Sequence, residues 1–144
     1  TELDDADGEK LRQIGMEFGA TTGRPRRCGW IDLPQLQYTI MLNGVTQVII
    51  TKMDVLDDFE TIKYAVSYRY DGHESNVLPY DIVDKEVLPI YRDFDGWHQS
   101  LDGVRSYTDL PKKAKDYLST LENELKTKIS MVSTGPEREK LFAK

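Results

Sequence analysis

The residues with the clearest chemical potential are three arginines within four positions of a chain whose formal net charge is −6. The guanidinium groups of Arg24, Arg26 and Arg27 can each bind a carboxylate or a phosphate through two parallel hydrogen bonds. The preceding stretch GATTG (19–23) adds two threonine hydroxyls and two glycines, which allow positive φ angles or a close approach of the backbone to a ligand. The pattern predicts a preorganised anion-binding loop over residues 19–30. The alternative is a solvated basic loop that pairs with acidic residues of the same chain.

A second candidate group is the stretch TKMD (51–54), which follows the predicted strand VTQVII (45–50). Ligands in α/β proteins gather at the carboxyl ends of strands. A carboxylate there can accept hydrogen bonds from both the ring N–H and the exocyclic amine of guanine, whereas adenine does not present that pair of donors on one edge. Asp54 is therefore a candidate guanine-reading residue, with the stem of Lys52 along the base. The alternative is that Asp54 caps a following helix.

A third candidate group is the turn STGP (133–136), which follows the predicted short strand ISMV. Backbone groups of Ser133, Thr134 and Gly135 could contact a base or a ribose. The alternative is a plain turn, since serine, glycine and proline are common turn residues.

Other chemistry is not indicated. The sequence has no glycine-rich phosphate loop followed by lysine, and His73 and His98 lack metal-ligand spacing, so we predict neither a metal site nor a complete catalytic apparatus. The acidic net charge argues against nucleic-acid binding. The longest apolar stretches are far shorter than a membrane span of about 20 residues. The single cysteine, Cys28, fits a reducing cytosol and a cytoplasmic location.

The elements that must position these residues alternate between helices and strands, which predicts the α/β class in a chain of single-domain size with no internal boundary. The apolar run at 48–50 predicts a strand buried on both faces of a mixed or parallel sheet. Apolar periodicity, turn residues and β-branched residues together predict the following elements: helices over 8–19, 33–44, 55–66 and 110–129, strands over 45–54, 87–97 and 129–132, a hairpin over 67–82 with an Asp-Gly turn, and a terminal helix through Leu141 and Phe142.

Taken together, the motifs resemble one enzyme family, adenylosuccinate synthetase. The stretches EFGATTGRPRRCGWID (17–32), NGVTQVIITKMDVLD (43–57) and STGPER (133–138) are similar to family motifs in order and spacing. LPIYRDFDGW (88–97) and LPKKAKDYLSTLENEL (110–125) are similar to later family segments. Members are much longer, so the resemblance implies that residues 1–144 are the C-terminal third, a portion of a P-loop-NTPase-like mixed-sheet enzyme with several strands and flanking helices.

The resemblance implies a role for each candidate residue. The loop that receives aspartate, near IMP, would comprise Ala20, Thr21, Thr22, Gly23, Arg24, Pro25 and Arg26. Within it the threonines would hold the aspartate carboxylates, Arg24 would also reach IMP, and Arg26 would extend toward the GTP phosphates. Pro25 shapes the loop and is assigned no ligand of its own. The guanine site would be formed by Lys52, Met53, Asp54, Ser133, Thr134 and Gly135.

The resemblance also implies the reaction and the partners. Family members form adenylosuccinate from IMP and L-aspartate with hydrolysis of GTP, in de novo AMP biosynthesis, and act as cytoplasmic homodimers. Their catalytic residues and Mg²⁺ site are in the N-terminal part, so this chain is expected to be inactive alone. Two alternatives remain: a free-standing guanine-nucleotide-binding module without catalysis, and an interaction domain whose basic loop binds an acidic partner.

Overall fold

The computed structural model describes all residues from Thr1 to Lys144, which form two compact units. The first unit contains residues Thr1–Leu42 and Lys63–Asp93, and the second contains Asn43–Ile62 and Phe94–Lys144. Each unit is discontinuous in the sequence. In chain order the regular elements are α1 (Ala6–Ile14), β1 (Ile31–Asp32), α2 (Leu33–Asn43), β2 (Gln47–Ile50), β3 (Thr61–Tyr70), β4 (His73–Ser75), β5 (Leu88–Asp95), α3 (Lys112–Leu125), β6 (Lys128–Ser133) and β7 (Leu141–Ala143).

In the first unit, α1 and α2 begin at side-chain caps. Gly8 N–H donates to Asp5 Oδ1 at 3.0 Å at the start of α1, and Gln35 N–H donates to Asp32 Oδ1 at 3.0 Å at the start of α2. Such caps satisfy backbone donors that have no partner within the helix. The Tyr68 hydroxyl also donates to Asp32 Oδ1, at 2.5 Å. The pKa of Tyr68 is raised well above its ordinary range, mainly by burial and to a smaller extent by this hydrogen bond.

The sheet of the first unit is built on β3. Strand β1 pairs with β3 in parallel, β4 pairs with it antiparallel, and β5 also pairs with β3. Asp71 (φ 50°) and Gly72 (φ 77°) join β3 to β4. Positive φ at both central positions is the signature of a type I′ hairpin turn, which confirms the predicted Asp-Gly turn.

In the second unit, β6 is the central strand, with β2 parallel on one side and β7 antiparallel on the other. Helix α3 packs against β6. The predicted apolar stripe of α3 is confirmed, because Ala114, Tyr117, Leu118, Leu121 and Leu125 are all buried. The core also includes Leu101, Ile129 and Val132, each 0% exposed.

Two predicted helices are wrong. In place of a helix over 55–66, the structure has the end of a 3-10 turn, Met53–Leu56, and then the first part of β3, which begins at Thr61. Tyr64 and Ala65 of this segment are register partners of Ile31 and Asp32 in the parallel ladder with β1, and this pairing makes the segment a strand. The terminal segment forms β7 instead of a helix, since Val132 and Phe142 are register partners in the sheet.

The prediction of burial on both faces is also wrong for β2, since Ile49 is 50% exposed. The parallel and mixed pairing predicted for this strand is confirmed. The α/β class is confirmed as well. That the chain is one region without an internal boundary stays a prediction. No helix is long and apolar enough to cross a membrane.

Candidate functional site

The backbone of the predicted anion loop is closed by its own hydrogen bonds. Gly19 N–H donates to the Arg24 carbonyl at 2.8 Å, and Gly23 N–H donates to the Gly19 carbonyl at 2.8 Å. Phe18 and Pro25 form an isolated antiparallel bridge. Gly23 has φ 64°, a conformation in which a side chain would be strained. The glycine therefore has the conformational role that the sequence predicted.

Helix α1 and the segment after it hold the base of this loop. Arg12 Nε donates to the Arg26 carbonyl at 2.9 Å, and Arg26 N–H donates to the Glu17 carbonyl at 2.9 Å. At the end of the loop, the Cys28 carbonyl accepts a hydrogen bond from Leu3 N–H of the N-terminal segment at 2.9 Å. The loop is thus fixed at its base, while residues 20–27 are exposed.

An open cavity of about 800 Å³ lies against the loop. Its walls are the N-terminal residues Thr1 and Glu2 and the loop residues Gly19, Thr22, Arg24, Pro25, Arg26, Arg27, Cys28 and Gly29. Ala20, Thr21 and Gly23 lie in the same loop. Four of the residues predicted to receive aspartate line this cavity: Thr22, Arg24, Pro25 and Arg26. Gly23 shapes the turn beside it.

The three arginines differ in their partners. Arg26 Nη1 pairs with Glu17 Oε2 at 3.0 Å, and Arg27 Nη1 pairs with Glu2 Oε2 at 3.4 Å. The predicted alternative, pairing with acidic residues of the same chain, is therefore observed for these two. Both pairs are solvent-exposed and worth about 0–1 kcal/mol, so an anionic ligand could replace them. The Arg24 guanidinium makes no ion pair within the chain and is the strongest candidate for ligand binding.

The second candidate group and the third meet at one edge of the second unit's sheet. In the parallel ladder of β2 and β6, Ile50 is the register partner of Val132. Because the strands are parallel, TKMD (51–54) and STGP (133–136) both leave the sheet at its carboxyl edge. This is the edge at which α/β sheets bind ligands.

Asp54 lies within the 3-10 turn Met53–Leu56, so it does not occupy the helix-capping position that was its alternative interpretation. Lys52 precedes the turn in the left-handed conformation, with φ 60°. Met53 is 1% exposed and anchors the turn in the core. Asp54 Oδ1 is buried and has no hydrogen-bond partner. An unpaired buried carboxylate oxygen is costly, so this atom is suited to receive a donor from a ligand.

The STGP turn is ordered by short-range bonds. Ser133 Oγ donates to the Gly135 carbonyl at 2.7 Å, and Thr134 N–H donates to the Lys140 carbonyl at 3.0 Å. Thr134 is 1% exposed, yet its Oγ1 is buried without a hydrogen-bond partner. The turn thus offers a second unsatisfied polar atom on the segment that follows β6.

Lys140 fixes the outer side of this turn. Its Nζ pairs with Asp102 Oδ1 at 2.7 Å and with Glu137 Oε2 at 3.1 Å. A Cβ added to Gly135 would lie 2.3 Å from Lys140 Cδ. Because two carboxylates hold the Lys140 side chain in place, a residue larger than glycine at position 135 would clash with it. No pattern in the sequence indicated this role of Lys140.

Asp57 is a further residue that sequence reasoning missed. Its Oδ1 accepts from Trp97 Nε1 at 2.8 Å, and its Oδ2 accepts from Leu101 N–H at 2.8 Å. Burial raises the pKa of the Asp57 carboxyl; the two donors oppose this shift, and the negative charges of Asp54 and Asp58 add to it. Nothing in the spacing of residues 57, 97 and 101 could have indicated this contact.

The structure brings some of the predicted site residues together. Lys52, Met53, Asp54, Ser133, Thr134 and Gly135 all belong to the second unit, whereas the anion loop belongs to the first. The ligands assigned to both groups stay predictions. No group of three or more histidine, cysteine, aspartate or glutamate side chains is placed to hold a metal ion.

Comparison with known proteins identifies the family. A family model described as adenylosuccinate synthetase matches residues 1–142. The chain is 52% identical over 139 residues to the adenylosuccinate synthetase of Porphyromonas gingivalis, covering 96% of this chain and 33% of that protein. It is 51% identical over 140 residues to that of Trichlorobacter lovleyi, again covering 96% and 33%.

Solved structures agree. A structure of fully ligated adenylosuccinate synthetase from Plasmodium falciparum matches with a TM-score of 0.92 and 36% identity, covering 100% of this chain and 35% of that one. The chain thus spans about a third of the length of these relatives. Both comparisons confirm the resemblance stated from the motifs: this chain belongs to the adenylosuccinate synthetase family.

Proposed function

We propose that this chain supplies the aspartate-binding loop and the guanine pocket of an enzyme that joins IMP and L-aspartate with hydrolysis of GTP to GDP and phosphate. The observation that carries the proposal is the pair of unsatisfied buried atoms, Asp54 Oδ1 and Thr134 Oγ1. They lie on the segments that follow two adjacent parallel strands.

Guanine is the base that fits this chemistry. An ionised carboxylate only accepts hydrogen bonds, and guanine offers two adjacent donors, the ring N–H and the exocyclic amine. Adenine has an unprotonated ring nitrogen on the corresponding edge. It would leave one Asp54 oxygen unpaired and would add acceptor–acceptor repulsion. The buried position strengthens the discrimination because water cannot replace the missing donor.

The loop at 20–26 would bind the amino acid. The Arg24 guanidinium makes no ion pair within the chain and Arg24 lines an open cavity, so the guanidinium can bind one aspartate carboxylate through two parallel hydrogen bonds. The hydroxyls of Thr21 and Thr22 can donate to the other carboxylate. Fixing both carboxylates leaves the amine free to face the purine, which is catalysis by positioning. Arg26 can exchange Glu17 for a phosphate of GTP.

The proposed reaction has two steps. GTP transfers its terminal phosphoryl group to the 6-oxygen of IMP, and the aspartate amine then displaces phosphate from that carbon. Positive charge from the loop would stabilise the phosphoryl oxygens. Closure of the loop would exclude water from the activated intermediate. No residues of this chain form a cluster that fits Mg²⁺, so we assign no step to a metal held by this chain; we place Mg²⁺ on the part of the family's chain that these residues do not span.

The same family membership leads us to propose a cytoplasmic homodimer as the working form, without nucleic-acid or membrane partners. Because the chain spans about a third of its relatives, we expect no turnover from residues 1–144 alone. The absence of activity in an assay with IMP, aspartate, GTP and Mg²⁺ would agree, and measurable adenylosuccinate formation would contradict this expectation.

A chimera tests the proposal directly. In it, residues 1–144 replace the matching third of the Porphyromonas gingivalis synthetase, to which they are 52% identical. We expect the chimera to form adenylosuccinate with GTP and not with ATP. A folded chimera that lacks turnover, or that uses both nucleotides equally, would refute the proposal.

The alternative is a guanine-nucleotide-binding module without catalysis. It is favoured by one observation: all six predicted guanine-pocket residues lie in a single compact unit. Calorimetry on the isolated chain with GTP and with ATP separates the two functions. Tight, guanine-selective binding would favour the module, whereas weak binding of both nucleotides is expected for a chain that has no glycine-rich phosphate loop followed by lysine.

A further inference from the structure

The Asp57 carboxylate links the Met53–Leu56 turn to a separate loop of the second unit. Each of its oxygens accepts one hydrogen bond, from Trp97 Nε1 and from Leu101 N–H, both at 2.8 Å. Trp97 is 6% exposed and Leu101 is 0% exposed, so both donors sit on buried residues. An anchor of this kind holds its own backbone in place relative to the core.

Asp57 is also bonded directly to Asp54. Asp57 N–H donates to the Asp54 carbonyl at 3.2 Å, and Val55 N–H donates to the Lys52 carbonyl at 3.2 Å. The turn therefore begins at Lys52, in its strained left-handed conformation, and ends at Asp57. The position of the Asp54 side chain depends on both ends of this turn.

We propose that Asp57 is a positioning residue for guanine selectivity: by accepting from Trp97 and Leu101, its carboxylate fixes the turn that aims Asp54 at the base. This inference rests on the proposed function, since it concerns the same guanine pocket. Asp57 touches no ligand itself; both of its oxygens are used within the chain. It acts through the placement of Asp54, and small displacements of a binding group are costly.

Physical chemistry favours an ionised carboxylate at this point. Two N–H donors converge on Asp57, and only a carboxylate offers an acceptor to each of them. In Asp57→Asn the amide NH₂ would face either the Trp97 indole N–H or the Leu101 N–H, donor against donor. The turn must then move to relieve this contact, and Asp54 moves with it.

The test uses the chimera described above. For Asp57→Asn we expect the KM for GTP to rise by roughly tenfold, with the KM for aspartate and the KM for IMP unchanged. Asp95→Asn is the matched control, because Asp95 belongs to the same unit but is exposed and pairs only with Lys113, at 3.6 Å. A purely structural role would lower the melting temperature and the active fraction without changing the KM for GTP.

A second variant gives an independent readout. Trp97→Phe removes one of the two donors, so in the Asp57→Asn background the amide NH₂ no longer opposes the indole N–H. We expect Asp57→Asn/Trp97→Phe to have a KM for GTP closer to wild type than Asp57→Asn alone. If Asp57→Asn does not fold, Trp97→Phe alone decides, and a KM for GTP raised by about threefold or more supports the inference.

The outcomes separate this inference from the proposed function. The inference is overturned if Asp54→Asn impairs GTP use while Asp57→Asn leaves the KM for GTP unchanged. If Asp57→Asn does not fold, an unchanged KM for GTP in Trp97→Phe has the same meaning. If Asp54→Asn also leaves GTP use unchanged, the proposed guanine pocket itself is wrong. A combined variant that is worse than Asp57→Asn alone would likewise overturn the positioning role.

Discussion

Ile50 of β2 and Val132 of β6 are register partners in a parallel ladder. Parallel strands present their carboxyl ends at the same edge, so the backbone that follows Ile50 and the backbone that follows Val132 leave the sheet side by side. Two motifs about 80 residues apart in the sequence thereby become neighbours through one ladder. Changes in either motif are therefore expected to act on the same pocket.

Asp54→Asn in the chimera should weaken the use of GTP. The amide offers one acceptor in place of two and presents a donor to the donors of guanine. Loss of a buried charge-assisted contact costs on the order of 2–4 kcal/mol. The KM for GTP measured by steady-state kinetics should rise accordingly, with ATP discrimination reduced.

The control for Asp54 is Asp116→Asn. Asp116 pairs with Lys112 on the exposed side of α3, so its replacement should leave the GTP kinetics unchanged. Equal GTP kinetics for wild type and Asp54→Asn would show that Asp54 does not read the base.

Arg24→Leu should raise the KM for aspartate and lower kcat in the chimera. Its guanidinium is free to bind a carboxylate, so removal deletes a contact worth roughly 1.5–3 kcal/mol. Arg27→Leu is the matched control, because Arg27 lies in the same loop but pairs with Glu2. If the two substitutions change the aspartate kinetics to the same extent, the loop acts only through its total charge and Arg24 has no specific role.

The elements of the fold that were predictable are those with a strong local signal. The apolar stripe of α3 and the Asp71-Gly72 turn are both specified by residues close in sequence. The helix predicted over 55–66 failed because its apolar residues fit either period, and the pairing of Tyr64 and Ala65 with β1 decided for a strand. The terminal segment likewise became β7 through a distant partner, β6.

For the candidate site, the sequence indicated which motifs matter but not how they are held. Spacing and residue type singled out Arg24 and Asp54. The anchors, Asp57 with Trp97 and Lys140 with Asp102, join residues about 40 positions apart. Such contacts depend on the tertiary structure, and no local pattern encodes them.

Leu121→Ala should destabilise the second unit. Leu121 is 0% exposed on the apolar face of α3, and Leu→Ala in a core costs about 2–5 kcal/mol through lost burial and the cavity left behind. Urea unfolding followed by circular dichroism measures the change. Leu42→Ala is the control, since Leu42 is 63% exposed on α2; a comparable loss there would mean that this face of α2 is covered in solution.

The stability of the second unit should depend on pH through Glu122. Its Oε1 accepts from Ile129 N–H at 2.8 Å, and its Oε2 accepts from Lys144. The bond from Lys144 is the main reason that the pKa of Glu122 lies below its ordinary value of 4.5. Burial opposes this shift, and the bond from Ile129 N–H adds to it. Because the pKa is lower in the folded chain than in the unfolded chain, the stabilisation is complete above pH 4.5 and is lost as the pH falls through the folded-state pKa.

Glu122→Gln should therefore unfold at a lower melting temperature than wild type at pH 7, and the difference should shrink as the pH falls below 4.5. The glutamine oxygen can still accept from Ile129, so the loss isolates the contact with Lys144. Glu139→Gln, on an exposed residue, controls for the change in net charge. A melting-temperature difference between wild type and Glu122→Gln that stays constant from pH 7 to acid would show that the carboxylate's charge is not what stabilises this contact between α3 and the C-terminal residue.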